Sequence, residues 1–400
     1  LPNGMRIVTA LRPESPLAAV KLFFKVGSRH DGAYPGIAHF LEHLLFGSPS
    51  RPAQAIYQAV EAIGGEVNAV TTREYTALQA VVLAPYAEMV VNRFADLLVP
   101  GSFDPDVVER ERRIIVDEIA LISDSYQIIW DLFLQALWNS HPLARPITGT
   151  RESVRSLPAA ALAAHWERYF AADRIVLAAA GNVEHDTLVR AVESRFGSLR
   201  PGPPLQNGDA GGTATARAFL EKDTHQTHLT LGVEATAMAD PRRYTVRLLD
   251  IVLGQGASSR LHHALRTERG LVYNVSSVAM SYADRGYLAV YTACAPENVE
   301  TVSTAILDEL DRVRQEGISA AELAAAKTNY EGSLARSFET VLSLASIIGI
   351  EELLHRIVPF AESVARIREV TTAEVQQTAA EVLSLDRYAV AVIGRRWQDA

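Results

Sequence analysis

Cysteine is almost absent from this sequence. Cys294 stands alone among 400 residues, which excludes an internal disulfide framework and any zinc site built on thiolates. No run of about 18 apolar residues occurs, so no membrane-spanning helix is expected. The densest apolar stretch, around Ile175–Ala180, has the length of a strand. Basic charge is also scarce: 38 Lys and Arg face 47 Asp and Glu, a net charge of −9 with no basic tract. That balance argues against nucleic acid or an anionic membrane surface as the principal partner. The aromatic residues are scattered, with no stacking ladder for a single strand, and Gly254-Gln255-Gly256 lacks the lysine and spacing of a phosphate loop. No leader pattern is visible at Leu1-Pro2-Asn3-Gly4. The expected compartment is the cytoplasm, or the periplasm if a leader has been removed.

What is present points to a folded chain of two similar parts. Hydrophobic residues at 48% and charged residues at 21% rule out bulk disorder. The length suggests two to three domains. The strongest break in composition is 200–214, with three prolines and four glycines, which reads as an exposed linker. It divides the chain into expected domains 1–199 and 215–400. The first opens with strand-like runs at Arg6–Ala10 and Ala18–Val26. Helical segments follow from Ile37 and Pro52, then alternating strands at Glu66–Val70 and Thr76–Val82, then a helix at 104–123. The second opens with a strand at His228–Val233 and helical segments at Tyr244–Leu253 and Ser258–Glu268. Strands Tyr273–Val278 and Gly286–Thr292 follow, then helices at Pro296–Glu316 and from Ser319 and Thr372. The shared order predicts an α+β fold duplicated in tandem, each copy a mainly antiparallel sheet packed against helices.

The sharpest chemical signal is His39-Phe40-Leu41-Glu42-His43. On a helix at about 100° per residue, Ile37, Phe40, Leu41, Leu44 and Leu45 form one apolar face. His39 and His43 fall about 40° apart on the other side, with Glu42 beside them. Two imidazoles at i and i+4 can converge on one metal ion. The carboxylate between them is placed to take a proton from a water at an open coordination position. Downstream, Asp104 caps and Pro105 opens a helix whose apolar stripe is Val107, Val108, Ile114, Ile115, Ile119 and Ile122. Glu111 and Glu118, seven apart and about 20° around the axis, both fall inside that stripe. Carboxylates on a core-facing stripe are costly unless a cation or hydrogen bonds compensate them. Two imidazoles, one carboxylate ligand, one base and one further carboxylate make up the inventory of a catalytic zinc site. Periodicity does not decide which glutamate is the ligand.

These residues resemble the inverted zinc peptidases, the family that includes pitrilysin, insulin-degrading enzyme and the mitochondrial processing peptidase. The resemblance rests on His39-Phe40-Leu41-Glu42-His43 followed by Glu111-Arg112-Arg113-Ile114-Ile115-Val116-Asp117-Glu118, and it covers essentially the whole chain. It implies one zinc ion per chain held by His39, His43 and Glu118, with Glu42 as the base and Glu111 supporting the site. Asn68-Ala69 resembles the family's edge strand, where a peptide adds by main-chain hydrogen bonds. Leu265-Arg266-Thr267-Glu268-Arg269-Gly270-Leu271-Val272-Tyr273 resembles its arginine–tyrosine segment. There Arg266 would bind substrate backbone, and Tyr273 would hold substrate and the oxyanion. His141-Pro142-Leu143 and Pro146-Ile147-Thr148-Gly149 resemble a loop of the first half. Gly47-Ser48-Pro49 departs from relatives, which often carry a lysine and a glycine there. The implied fold is the processing-peptidase or LuxS-like metallohydrolase fold. The implied activity is zinc-dependent endopeptidase action on oligopeptides or unfolded segments. A homodimer is the expected assembly, with a heterodimer of homologous chains as the variant. The competing reading is a non-catalytic scaffold or partner subunit of the same fold. The remaining histidines (His30, His141, His165, His185, His225, His228, His262, His263 and His355) read as structural or surface residues.

Overall fold

The alternation that predicts strands produces two sheets of identical design. The computed structural model describes residues 1–47, 51–98, 103–122, 124–203, 216–384 and 387–395. The first sheet holds β1 (Arg6–Leu11), β2 (Leu17–Phe24), β3 (Glu66–Thr71), β4 (Thr76–Leu83) and β5 (Ile175–Gly181) in the order β1-β5-β2-β4-β3. The second holds β6 (Arg217–Glu221), β7 (Thr227–Ala235), β8 (Val272–Ser281), β9 (Gly286–Cys294) and β10 (Ala389–Gly394) in the order β6-β10-β7-β9-β8. Strand for strand the two orders correspond. In each, the outermost strand at one edge pairs in parallel, β1 with β5 and β6 with β10, and every other pair is antiparallel. The expected duplicated α+β architecture is therefore what the chain adopts. Its sheets are mainly antiparallel, as expected, with one parallel pair each, because a strand from late in each half returns to lie between the first two.

The middle strands of the first sheet read as continuous apolar runs because both their faces are covered. On β2, Val20, Leu22 and Phe24 face a core with Phe40, Leu41, Val90, Phe94 and Leu177. Ala19 and Phe23, on the other pleat, pack with Val176 and Ala178 against Leu344, Ala345, Ile348 and Leu353 of helix Val341–Leu354. Lys21 shares that second face. Its amine reaches the Ser346 hydroxyl at 3.1 Å, and burial lowers its pKa to about 8.

The second sheet repeats the pattern. Leu229, Leu231, Val233, Leu288 and Val290 face a core with helices Arg243–Gly254 and Val299–Glu316. Tyr287, Tyr291, Ala391 and Ile393 face Ile129, Phe133, Leu137 and Trp138 of helix Ser125–Trp138.

The compact units are accordingly not linear halves. Unit 1 is residues 1–121, 145–208 and 336–358; unit 2 is residues 122–144, 209–335 and 359–400. Helix Ser125–Trp138, from the first half of the sequence, belongs to the second sheet. Helix Val341–Leu354, from the second half, belongs to the first sheet. Of the linker expected at 200–214, only 200–203 lies among the described residues, and Ser48, Pro49 and Ser123 lie outside them.

Two helical segments differ from expectation. The helix expected at 104–123 spans Pro105–Leu121, and its buried face is narrow, limited to Val108, Glu111 and Ile115. Ile114, expected in the stripe, is exposed, while Val107, Val116 and Ile119 pack half-buried against the same core. The segment expected as a helix at Ser258–Glu268 becomes π-helical over His262–Thr267, with wide-ring bonds such as Glu268 N–H to His263 C=O at 2.9 Å. Among the described residues, no helix is long and apolar enough to cross a membrane.

Candidate metal centre

The histidine motif sits on a very short helix, Ile37–Glu42, held at both ends. Its N-cap, Gly36, has φ +92°, and a Cβ there would meet the Thr148 carbonyl oxygen at 2.6 Å, so only glycine fits. Asp31, buried, accepts from the Gly36 amide at 2.6 Å and the Ala38 amide at 3.2 Å. Burial pushes the Asp31 carboxyl up to about 8, against the pull of those two amides and of Arg145. At its other end the helix runs straight into a π-helical turn, His43–Gly47. Such wide turns recur at functional sites because they redirect a side chain without breaking the helix.

Helix Pro105–Leu121 brings the two glutamates to the two histidines, all within unit 1. His39 Nε2 lies 3.8 Å from Glu118 Oε1, and His43 Nε2 lies 3.3 Å from Glu118 Oε2. The imidazole rings are 4.7 Å apart at 67°. One ligand atom from each of His39, His43 and Glu118 falls within 4.8 Å of the others. In a tetrahedral zinc site with bonds near 2.1 Å, ligand atoms stand about 3.4 Å apart, so a small contraction would close the set. Glu118, 42% exposed, leaves the centre open on one side.

Glu111 faces the other nitrogen of the His43 ring. It is 1% exposed, and neither carboxylate oxygen has a hydrogen-bond partner. The nearest donors are His43 Nδ1 at 3.5 Å and Arg110 Nε at 3.6 Å. A buried carboxylate in that state is costly. A metal on His43 Nε2 would fix the ring proton on Nδ1, facing Glu111, which is the usual carboxylate–histidine–metal arrangement. The donor set and this orphaned carboxylate both fit a divalent zinc ion.

The charges are strongly interdependent. Burial lowers the His39 pKa to about 4, with the neighbouring His43 adding to the effect and Glu118 opposing it. Burial would lower His43 too, but the hydrogen bond it donates to Glu118 and the charges of Glu118, Glu42 and Glu111 raise it overall. Glu118 is held below the usual carboxylate range, chiefly by its hydrogen bond with His43. Glu42 is raised, chiefly by burial and also by the Glu118 charge, while Thr71 and His43 oppose the rise. A half-buried carboxylate with a raised pKa beside three metal-ligand candidates suits the work of a general base.

The other expected residues lie around two separate places. Asn68 and Ala69 are on β3, at the free edge of the first sheet. The Ala69 amide is taken by Asn68 Oδ1 at 2.8 Å. Arg266 and Tyr273 meet each other in unit 2, where the guanidinium stacks 4.8 Å from the ring centroid. Tyr273 is 78% exposed, next to a register shift between Val272 and Val275. Arg266 Nη1 also contacts His262 Nε2 at 3.3 Å.

Three neighbours of the site escaped the sequence reading: Asp31, which pins the helix start; Tyr57, whose ring packs 5.0 Å from Phe46; and Thr71, which opposes the rise of the Glu42 pKa. Only Thr71 left a trace in the pattern, as the third inward position of β3 after Val67 and Ala69.

The chain is similar to known proteins along nearly its whole length. The family described as insulinase (peptidase family M16) matches residues 6–151, and the M16 peptidase inactive domain matches residues 156–330. A Mycobacterium tuberculosis protein named an uncharacterized zinc protease is 38% identical, covering 98% of this chain and 92% of its own. A Bacillus subtilis protein of the same description is 34% identical, over 88% of this chain and 87% of its own. A solved M16 peptidase inactive domain from Pseudomonas fluorescens superposes with a TM-score of 0.90 at 21% identity, covering 100% of this chain and 97% of that one. A protease from Helicobacter pylori superposes equally well, at 20% identity and 98% coverage of both chains. With both M16 patterns in tandem and relatives at this identity along nearly its whole length, the chain belongs to the M16 (insulinase) family of peptidases.

Proposed function

We propose that this chain is a zinc-dependent endopeptidase acting on oligopeptides or unfolded segments, with one zinc ion held by His39, His43 and Glu118. The observation that carries the reading is the convergence of those three ligands within 4.8 Å, with Glu42 on the same short helix and Glu111 behind His43. When bound, zinc supplies Lewis acidity toward the scissile carbonyl and lowers the pKa of water. Glu42 takes a proton as the water oxygen attacks the carbonyl carbon. It returns that proton to the leaving amine as the C–N bond breaks. Glu111 holds the His43 ring through Nδ1.

A peptide would add to the open edge of β3 as a further strand, displacing the Asn68 side chain from the Ala69 amide. Arg266 would bind its backbone, and Tyr273, whose phenol is largely exposed, would donate to the developing oxyanion. A homodimer is the proposed working form.

The test is mass-spectrometric analysis of a mixture of unstructured peptides incubated with wild type, with wild type plus chelator, and with Glu42→Gln. Wild type should cleave within the peptides rather than only at their ends. Chelation should abolish cleavage. Glu42→Gln should keep its metal and lose about 100- to 10,000-fold in rate. A metal-loaded Glu42→Gln variant that cleaves at the wild-type rate would remove Glu42 from the role of base.

A further inference from the structure

The short helix that carries His39 and Glu42 cannot cap itself. Its N-cap residue, Gly36, has no side chain to offer. No serine, threonine or aspartate can replace it, because the left-handed φ and the close Thr148 carbonyl both exclude a Cβ. An N-cap side chain ordinarily accepts from the amide of the second or third helical residue. Here the acceptor comes from five residues upstream of the cap. Asp31 Oδ1 accepts from the amide of Ala38, the second helical residue, at 3.2 Å, and Asp31 Oδ2 accepts from the amide of Gly36 itself at 2.6 Å. One carboxylate thus ties down the residues on both sides of Ile37. A helix of six residues needs this, because its few internal bonds do not repay the cost of nucleation.

Asp31 is itself well anchored. Its amide donates to the Ser28 carbonyl at 3.2 Å, and its carbonyl accepts from the Tyr34 amide at 3.0 Å. The Ser28 and Arg29 amides donate to the Thr72 and Arg73 carbonyls, which ties the segment to the hairpin between β3 and β4. His39 depends on this anchorage more than His43 does. The His43 ring has Glu111 facing its Nδ1 at 3.5 Å. His39 Nδ1 is buried and has no hydrogen-bond partner among the described residues, so no polar group orients that ring from behind. Its position follows from its backbone, and the residue before it, Ala38, is the one whose amide Asp31 holds. His39 is also the imidazole farther from Glu118, at 3.8 Å against 3.3 Å for His43.

We propose that Asp31 is the positioning residue of His39: by holding the Gly36 and Ala38 amides it fixes the backbone from which that imidazole reaches the metal, and so sets metal affinity. The inference rests on the reading of His39, His43 and Glu118 as the ligands. A merely structural cap would change stability alone, whereas a positioning residue changes the strength and geometry of metal binding.

The test uses the full chain as wild type, Asp31→Ala, Asp31→Asn, Thr371→Ala and His39→Ala. Thr371 is an ordinary N-cap in unit 2, its hydroxyl accepting from the Glu374 amide at 3.2 Å, and serves as the control for lost capping. Zinc affinity is measured by competition with a chromophoric chelator, ligand geometry by the visible spectrum of the cobalt-substituted protein, and stability by urea unfolding. Loss of a group that supports a ligand typically costs about 10- to 100-fold in metal affinity, and Asp31→Ala should lose that much, with an altered cobalt spectrum. Asp31→Asn keeps the shape and one acceptor oxygen, so it should fall between Asp31→Ala and wild type, and it replaces Asp31→Ala if that variant does not fold. Thr371→Ala should lose stability and keep wild-type zinc affinity. Wild-type affinity and spectrum in the Asp31 variants would overturn the proposal. So would an equal loss of affinity in Thr371→Ala, which would make the effect one of stability alone. If His39→Ala bound zinc as tightly as wild type, the ligand assignment would fall instead, and the two failures are thereby distinguished.

Discussion

At the scale of single residues, this protein holds ionisable groups in places where water cannot solvate them, and each has a measurable cost. Under the proposed function, Glu111 is a buried carboxylate made useful by facing a ring whose proton a metal would direct toward it. His165 shows the opposite case. It lies buried against the Tyr169 ring, 4.5 Å between centroids, with no hydrogen bond to Nε2. Burial, with smaller contributions from His30 and Arg168, lowers its pKa to about 3. The unfolded chain protonates this histidine near pH 6.5, while the folded chain keeps it neutral. As pH falls below 6.5 the unfolded state therefore gains a proton that the folded state lacks, and stability is lost. His165→Phe keeps the ring contact and removes the titration. Between pH 7 and pH 5, wild type should lose about 2 kcal/mol of unfolding free energy that the variant retains. Urea unfolding curves at the two pH values measure this, and parallel losses in both proteins would refute it.

At the scale of elements, the clearest case is helix Val341–Leu354. It is strongly apolar, and its buried face, Leu344, Ala345, Ile348, Gly349 and Leu353, lies across the outer face of the first sheet. Gly349 is the point of closest approach, where an added Cβ would lie 2.1 Å from Phe23 Cε2. Alanine favours helix by about 1 kcal/mol over glycine, but overpacking against a buried ring costs about 1–3 kcal/mol. Gly349→Ala should therefore destabilise the protein, with a lower denaturant midpoint. A raised midpoint would mean that the ring yields easily.

The same helix marks the limit of what the sequence makes legible. Strand-like runs located β1, β2 and β7, alternation located β3, β4, β8 and β9, and a bare apolar run hinted at β5. The spacing of His39, His43, Glu111 and Glu118 anticipated that these side chains would come together, because i, i+4 and i, i+7 relations put residues on one side of a helix. Val341–Leu354 has no polar stripe to say which way it faces, and its partner sheet is more than 150 residues upstream, so no local pattern announces it. The π-turns at His43–Gly47 and His262–Thr267 escaped for a related reason. Side-chain periodicity shows that a segment is helical, and tertiary packing decides how wide each turn is.

At the scale of the whole molecule, one design is used twice and given different residues. Both sheets have the same strand order and sense. Among the described residues, only unit 1 carries a group of three or more side chains able to hold a metal. Unit 2 carries the arginine–tyrosine pair instead. One chain thus contains both sets that the proposed reaction requires, and a homodimer would offer two complete complements. Light scattering on the eluting protein should give about twice the chain mass of 43.6 kDa at micromolar concentration, and a monomer mass would rule that assembly out. The crossed helices, finally, have a consequence for how the molecule is made. All of β1 to β5 leaves the ribosome long before residue 341 exists, so Ala19, Phe23, Val176 and Ala178 remain uncovered for the intervening synthesis. Helix Ser125–Trp138 meanwhile waits for a sheet not yet translated. A cut in the Pro- and Gly-rich stretch would not release two finished domains. Each piece would carry a helix belonging to the other and present a sheet with one bare face, and the two could be completed only together.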